Sequence, residues 1–263
     1  LKDLNLNKSD YSRIYLSPKV YKNRINFRDE GIFSSTDLIN YNLSPFQGYF
    51  KNIAMNGFGD QKRLMYGIID SHFKYINNNL FLDIFYINYL MILEDELIKL
   101  KNPDWNFIKK IKISSGKYLH LFERNIQNVE IKNIEKLTAN FNLCMVELDN
   151  EIDCLLKNKE HFLISNHNFS RLKNARFKIY DNESKLIVLP FVYDNNWQPN
   201  NNILNIGNFL MIYKYQHSKS GDVIYYWDQT RLILKLISYI TLFGIIFFIL
   251  MLSKKRFFSL KKI

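Results

Sequence analysis

Tyr193, Asp194 and Trp197 are the residues whose types and spacing most invite chemistry. Aromatic faces stack on the C–H surface of a pyranose while a carboxylate accepts bonds from its hydroxyls. The same residues also suit a structural role. Asp194-Asn195-Asn196 makes a turn held by side-chain-to-backbone bonds, and Trp197 plugs the end of a sheet. Arg13 stands beside them as a second candidate, because its guanidinium fork pairs with a phosphate or with an acidic neighbour.

Other arrangements carry weaker signals. His161 and His167, six apart, match no compact zinc pattern, and His72, His120 and His217 are scattered, so no metal site is expected. Asp95-Glu96 and the trio Asp149, Glu151, Asp153 resemble the paired carboxylates of glycoside chemistry, yet acidic clusters on an Asn- and Lys-rich surface are usually solvated loops. No Gly-x-Ser-x-Gly, phosphate-loop or dinucleotide fingerprint is present. Cys144 and Cys154 suit a disulfide outside the cytoplasm; unpaired, Cys144 would serve as a small apolar filler.

The strongest single signal lies at the C-terminal end. Leu236 to Leu252 has no charge, and Ser253-Lys254-Lys255-Arg256 follows. With its Leu232-Ile233-Leu234 lead-in, the segment is long enough for a hydrocarbon core of ~30 Å. Lys235 is placed to snorkel to the headgroups. Basic residues prefer the cytoplasmic side. The tail is therefore expected inside and residues 1–230 outside.

That topology also explains the charge. Of 36 Lys and Arg, seven lie at or beyond Arg231, where no acidic residue occurs. The outer region keeps 29 basic against 25 acidic residues, a surplus of four. It has no basic cluster interleaved with aromatics, so nucleic acid is not an expected partner. With 21 Phe and 17 Tyr it can bury a full core. The heavy use of Asn, Lys and Ile reads as AT-rich coding, which weakens any inference from a single Asn.

Along the chain, residues 1–60 read as loops and short elements. Leu80 to Phe85 fit a short helix, and Tyr86 to Leu93 a buried strand. Phe107–Ile113 and Tyr118–Glu123 flank a Ser114-Ser115-Gly116-Lys117 turn and predict a hairpin. Asn133 to Lys157 is mixed and partly helical. Arg176–Tyr180 and Lys185–Tyr193, across Asp181-Asn182-Glu183-Ser184, predict a second hairpin. Asn202–Ile206, Phe209–Gln216 and Asp222–Trp227 complete a set of short strands.

The expected fold is α+β and β-rich. Residues 1–160 form a mixed extracytoplasmic region and 161–230 an antiparallel, sandwich-like module. Residues 231–253 form one transmembrane helix and 254–263 a basic cytoplasmic tail.

Several segments, in order, resemble the closing region of the YfhO-type bacterial membrane proteins, multi-pass and glycosyltransferase-like in the GT-C manner. Leu186-Ile-Val-Leu-Pro-Phe-Val-Tyr-Asp-Asn-Asn-Trp197 resembles that family's strand leading to Tyr and Trp. Asn205-Ile-Gly-Asn-Phe-Leu210, Gly221-Asp-Val-Ile-Tyr-Tyr226 and Ile237-Ser238 resemble the pieces that follow it. Upstream, Tyr11-Ser-Arg13-Ile14, Leu82 to Leu90 and Tyr118-Leu-His-Leu-Phe-Glu-Arg-Asn125 are similar in order. The chain departs from the family in having Asn195-Asn196 where Pro-Gly is usual before the Trp.

The resemblance implies a C-terminal outer domain and last membrane helix of a protein that moves sugar from a lipid-linked donor to an envelope polymer or glycolipid. It implies further transmembrane helices upstream, a catalytic acidic residue located there, no cofactor in this chain, and the bilayer and an acceptor glycan as partners. The piece by itself is not expected to be an active enzyme. The competing expectation is a membrane-anchored glycan-binding or adhesion module with no catalysis.

Overall fold

The computed structural model describes residues 12–22, 43–45, 73–148, 150–171, 176–183, 185–192, 196–207, 210–216, 221–226, 233 and 236–247. The chain divides into two units, Leu1–Tyr225 and Tyr226–Ile263. The first is α+β and built around antiparallel sheets, as its strand-rich sequence predicts.

Its elements begin with β1 (Ser12–Leu16), α1 (Pro18–Lys22) and β2 (Leu43–Pro45). Then come α2 (Asn79–Ile84), β3 (Ile87–Leu93), β4 (Asn106–Lys112) and β5 (Tyr118–Glu123). Next are β6 (Asn128–Ile131), α3 (Ile134–Leu148) and α4 (Glu151–Lys157). The strands that follow are β7 (Phe162–Ser165), β8 (Asn168–Arg171), β9 (Arg176–Tyr180), β10 (Lys185–Val192), β11 (Trp197–Gln198), β12 (Ile203–Ile206), β13 (Leu210–Tyr215) and β14 (Asp222–Tyr226).

Three sheets result, in the orders β2-β1-β3-β5-β4, β12-β13-β10-β6-β7 and β11-β14-β9-β8. All described pairings are antiparallel except those of β1, which runs parallel to both β2 and β3. β3 shows how sequence sets this layering. Successive side chains of a strand point to opposite faces. Leu90 and Ile92 enter one core, while Tyr89, Met91 and Leu93 enter another. A strand apolar on both of its faces needs cover on both sides, and β3, apolar everywhere but Asn88, has it.

The larger core joins β3 to Val188 of β10, Leu210 and Ile212 of β13, Phe81 and Leu82 of α2, and Leu137 and Phe141 of α3. The smaller one joins β3 to Ile14 and Leu16 of β1 and to Leu119 and Leu121 of β5.

Asparagines start the helices. Asn78 Oδ1 accepts from Phe81 N at 3.0 Å, and Asn150 Oδ1 accepts from Ile152 N and Asp153 N at 3.1 and 3.0 Å. Asn133 Oδ1 accepts from Lys136 N at 2.9 Å at the start of α3. Each satisfies a backbone donor that a helix leaves open in its first turn. The mixed stretch 133–157 is thus two capped helices, joined by a Cys144–Cys154 disulfide across 5.6 Å between Cα atoms.

The β4–β5 hairpin forms as expected, with Gly116 at φ 78° supplying the left-handed turn position. The second expected hairpin does not form. β9 lies between β14 and β8, whereas β10 lies between β13 and β6 in a different sheet. The turn after β9 carries the chain from one sheet to the other. Ile187, Val188 and Leu189 are buried in succession, so β10 needs a central place with both faces covered, and β9 cannot supply it. The β10 sheet draws β6 from residues 128–131 and its other strands from 162–215, so it takes strands from both sides of residue 160.

In the second unit, residues 236–247 are helical. Among the described residues no helix is long and apolar enough to cross a membrane. The expected span 231–253 is described only in part, and the tail 254–263 lies outside the described residues.

Candidate functional site

Of the residues singled out for sugar chemistry, Tyr193 and Asp194 lie outside the described residues. Trp197 sits on β11, the edge of its sheet, only 7% exposed, with its ring 6.2 Å from that of Phe177. A ring so covered leaves little face for a pyranose. Trp197→Ala is expected to cost about 3–5 kcal/mol through the cavity it opens, seen as a lowered melting temperature. An unchanged melt together with weakened glycan binding would instead put the ring in a binding role. Arg13 lies on β1 in register with Ser44 and Ile87; its side chain lies outside the described residues.

The acidic groups do structural work. Glu96, buried, accepts from the Ser17 hydroxyl, and Asp95 accepts from Lys19 Nζ at 2.6 Å, tying α1 to the turn after β3. Asp153 accepts from the Tyr75 hydroxyl and from Lys74 Nζ at 3.1 Å. Burial, with the Asp153 bond adding to it, pushes the Tyr75 phenol up to about 12. Asp149 lies outside the described residues. Among the described residues no group of three or more His, Cys, Asp and Glu is placed to hold a metal ion.

The histidines divide likewise. His120 packs against the rings of Phe107 and Phe122, which also meet each other, and His161 meets Asn140 Nδ2 at 3.1 Å. His167 is buried, its Nδ1 3.0 Å from Ser165 Oγ, and its backbone carbonyl accepts from Asn128 Nδ2 at 2.6 Å. Asn128 Oδ1 in turn accepts from the Tyr86 hydroxyl at 2.7 Å. Ser, His and the nearby Asp181 invite comparison with a nucleophilic triad. At 2% exposure, however, the imidazole has no route to a substrate.

Burial, opposed in part by the Asp181 charge, lowers the His167 imidazole to about 4. Below the ordinary value near 6.5 the unfolded chain takes a proton that the folded one refuses. Stability is therefore full above pH 6.5 and falls as the pH drops toward 4, by about 3 kcal/mol. Urea unfolding of wild type and His167→Asn from pH 8 to pH 4 checks this. The variant should lose that part of the acid slope.

Two pockets remain. One, of about 800 Å³, is lined by Glu130, Lys132, Lys185, Lys214, Tyr215 and Gln216 along β6, β10 and β13. Lys185 is neutralised there, lying 3.3 Å from Asp181 and 3.4 Å from Glu130. Burial lowers its ammonium pKa, but Asp181 and Glu130 outweigh burial and leave it raised.

The other pocket, of about 400 Å³, is walled by polar side chains: Asn79, Asp104, Asn106, Arg124, Asn125 and Gln127. It is built on a buried ion pair. Arg124 Nη1 donates to Asp83 Oδ1 at 2.8 Å, and the backbone N–H of Gln127 donates to the same oxygen at 3.1 Å. Burial pushes the Asp83 carboxyl up from its ordinary value, and the Arg124 guanidinium pulls it back.

An asparagine network holds the opposite wall. Asn77 Oδ1 accepts from Lys101 N and Asn102 N, Asn102 Nδ2 donates to Asn79 Oδ1, and Asn79 Nδ2 donates to Asp104 Oδ2 at 2.6 Å. Nothing in the residue pattern pointed here. Asp83 and Arg124 are 41 positions apart, and neither belongs to a local motif.

No family model matches the chain, and neither curated proteins nor solved structures provide a match.

Proposed function

We propose that this chain is the extracytoplasmic C-terminal domain and last membrane helix of a glycosyltransferase-like membrane protein of the GT-C kind. Its part is to hold an acceptor glycan beside the site of transfer, and sugar transfer itself is not a property of residues 1–263. The domain lies outside the membrane, residues 231–253 cross it, and the basic tail stays in the cytoplasm.

One observation carries the reading. The helix 236–247 presents apolar side chains to its surroundings all the way round, with Ile240, Phe243 and Phe247 more than 60% exposed. Such a surface is untenable in water and ordinary in lipid. The Cys144–Cys154 bridge supports the same topology, because disulfides persist in oxidising compartments. The order of segments resembling the YfhO-type proteins supports the glycosyltransferase part.

The test is turnover and topology together. Full-length chain in membranes should leave a lipid-phosphate-linked sugar unchanged, and protease added outside intact cells should digest residues 12–226. Sugar transfer by this chain alone, or protection of the domain, contradicts the proposal.

A further inference from the structure

We propose that the pocket walled by Asn79, Asp104, Asn106, Arg124, Asn125 and Gln127 binds one neutral, hydroxyl-rich ligand unit, a single sugar residue of a glycan. This deepens the acceptor-holding role and rests on it for biological meaning. The binding chemistry stands on the pocket alone.

The first observation is the floor. Arg124 is 4% exposed and pairs with Asp83 through Nη1, but its buried Nε–H has no hydrogen-bond partner. A buried donor left open costs roughly 1–3 kcal/mol, so such groups call for an explanation. Arg124 lines the pocket, so the guanidinium that carries this open donor borders the cavity.

The second observation is the composition of the walls. Four carboxamides and one carboxylate, with Pro103 beside them, line the pocket together with the guanidinium. A carboxamide donates from nitrogen and accepts at oxygen, so Asn106, Asn125 and Gln127 can each meet a hydroxyl in either sense, while Asp104 accepts from one and the Asn79 amide is already engaged with Asn102 and Asp104.

Charge separates sugars from anions. The Arg124 charge is already matched by Asp83 at 2.8 Å, which leaves Asp104 as the uncompensated charge of the lining. A phosphate would face that carboxylate, whereas a hydroxyl would donate to it. At about 400 Å³ the pocket lies toward the small end of ligand sites, which suits one ring rather than an extended chain.

The walls also look preset. Asp83 fixes both Arg124 and the backbone of Gln127, and the Asn77–Asn102–Asn79 network fixes Asp104, so little ordering is left for binding.

Binding of methyl glycosides of glucose, galactose and N-acetylglucosamine to the full chain in detergent, followed by ligand-observed NMR titration, tests this. At least one should bind in the millimolar range, and Asp104→Ala and Asn125→Ala should each weaken it ten-fold or more with an unchanged melting temperature. Lys214→Ala, in the other pocket, should leave it unaltered. Absence of binding by all three glycosides overturns the proposal, as does binding indifferent to both pocket substitutions or tighter binding of inorganic phosphate. Failure here leaves the membrane topology standing, and failure of the topology leaves the binding result standing.

Discussion

Arg124→Ala should lower the stability of the domain by about 3–5 kcal/mol, as much as any single substitution considered. Removing the guanidinium leaves Asp83, 5% exposed, as an unpaired buried carboxylate. Its desolvation is then no longer offset by attraction across 2.8 Å. The Gln127 backbone bond to Asp83 does not compensate, because one neutral donor does not replace a full charge. The chain would protonate Asp83 instead, so the deficit should shrink at low pH.

The pair itself is a different matter. Replacing both members with Asp83→Leu and Arg124→Met should cost much less than Arg124→Ala alone, since paired buried charges are often no better than apolar groups of similar volume. Denaturant unfolding of Asp83→Leu, Arg124→Met and the double variant, beside Arg124→Ala, measures the coupling. Equal losses in the single Arg124 variant and the double variant would mean that Arg124 acts through packing alone.

Loss of the Cys144–Cys154 bridge should also be strongly destabilising. Closing a loop of ten residues restricts the unfolded chain by about 2.5–3 kcal/mol in the chain-entropy treatment. Both cysteines are buried in the core shared by α3 and α4, so the Cys144→Ala, Cys154→Ala double variant also loses packing. A melt of wild type with and without reductant, beside the double variant, separates the two contributions. Reductant should act slowly on the folded domain, because the sulfurs are covered. A melting temperature indifferent to reductant would remove the bridge from the account of stability.

Much of the fold is legible in the residues where one face or both faces must be buried. Tyr86 to Leu93 announces a strand covered on both sides, and β3 occupies the centre of its sheet. Phe107–Ile113 and Tyr118–Glu123 announce a hairpin because the turn carries a glycine where φ is positive. The helices α3 and α4 are harder to read. Their signals are Asn133 and Asn150 as caps, and a chain saturated with asparagine hides a cap among many identical residues.

The β9–β10 turn misleads for a complementary reason. Four polar residues between two strands suit a hairpin locally, and partner choice is settled by burial of β10 far along the chain. The site follows the same rule. Trp197 stands out by residue type, yet the fold packs it against Phe177. Asp83 and Arg124 stand out in neither type nor spacing, and folding makes them the base of a polar pocket. Local periodicity encodes faces; pairings across 41 positions are encoded only in the packed whole.

The most direct measurement places single cysteines in the full chain, with Cys144 and Cys154 left bonded, and labels intact cells with a membrane-impermeant maleimide. Ser115→Cys, in the exposed β4–β5 turn, should react in intact cells, while Lys261→Cys should react only after the membrane is opened. Labelling of Lys261→Cys from outside, with Ser115→Cys protected, would contradict an outer domain held by one membrane-crossing helix.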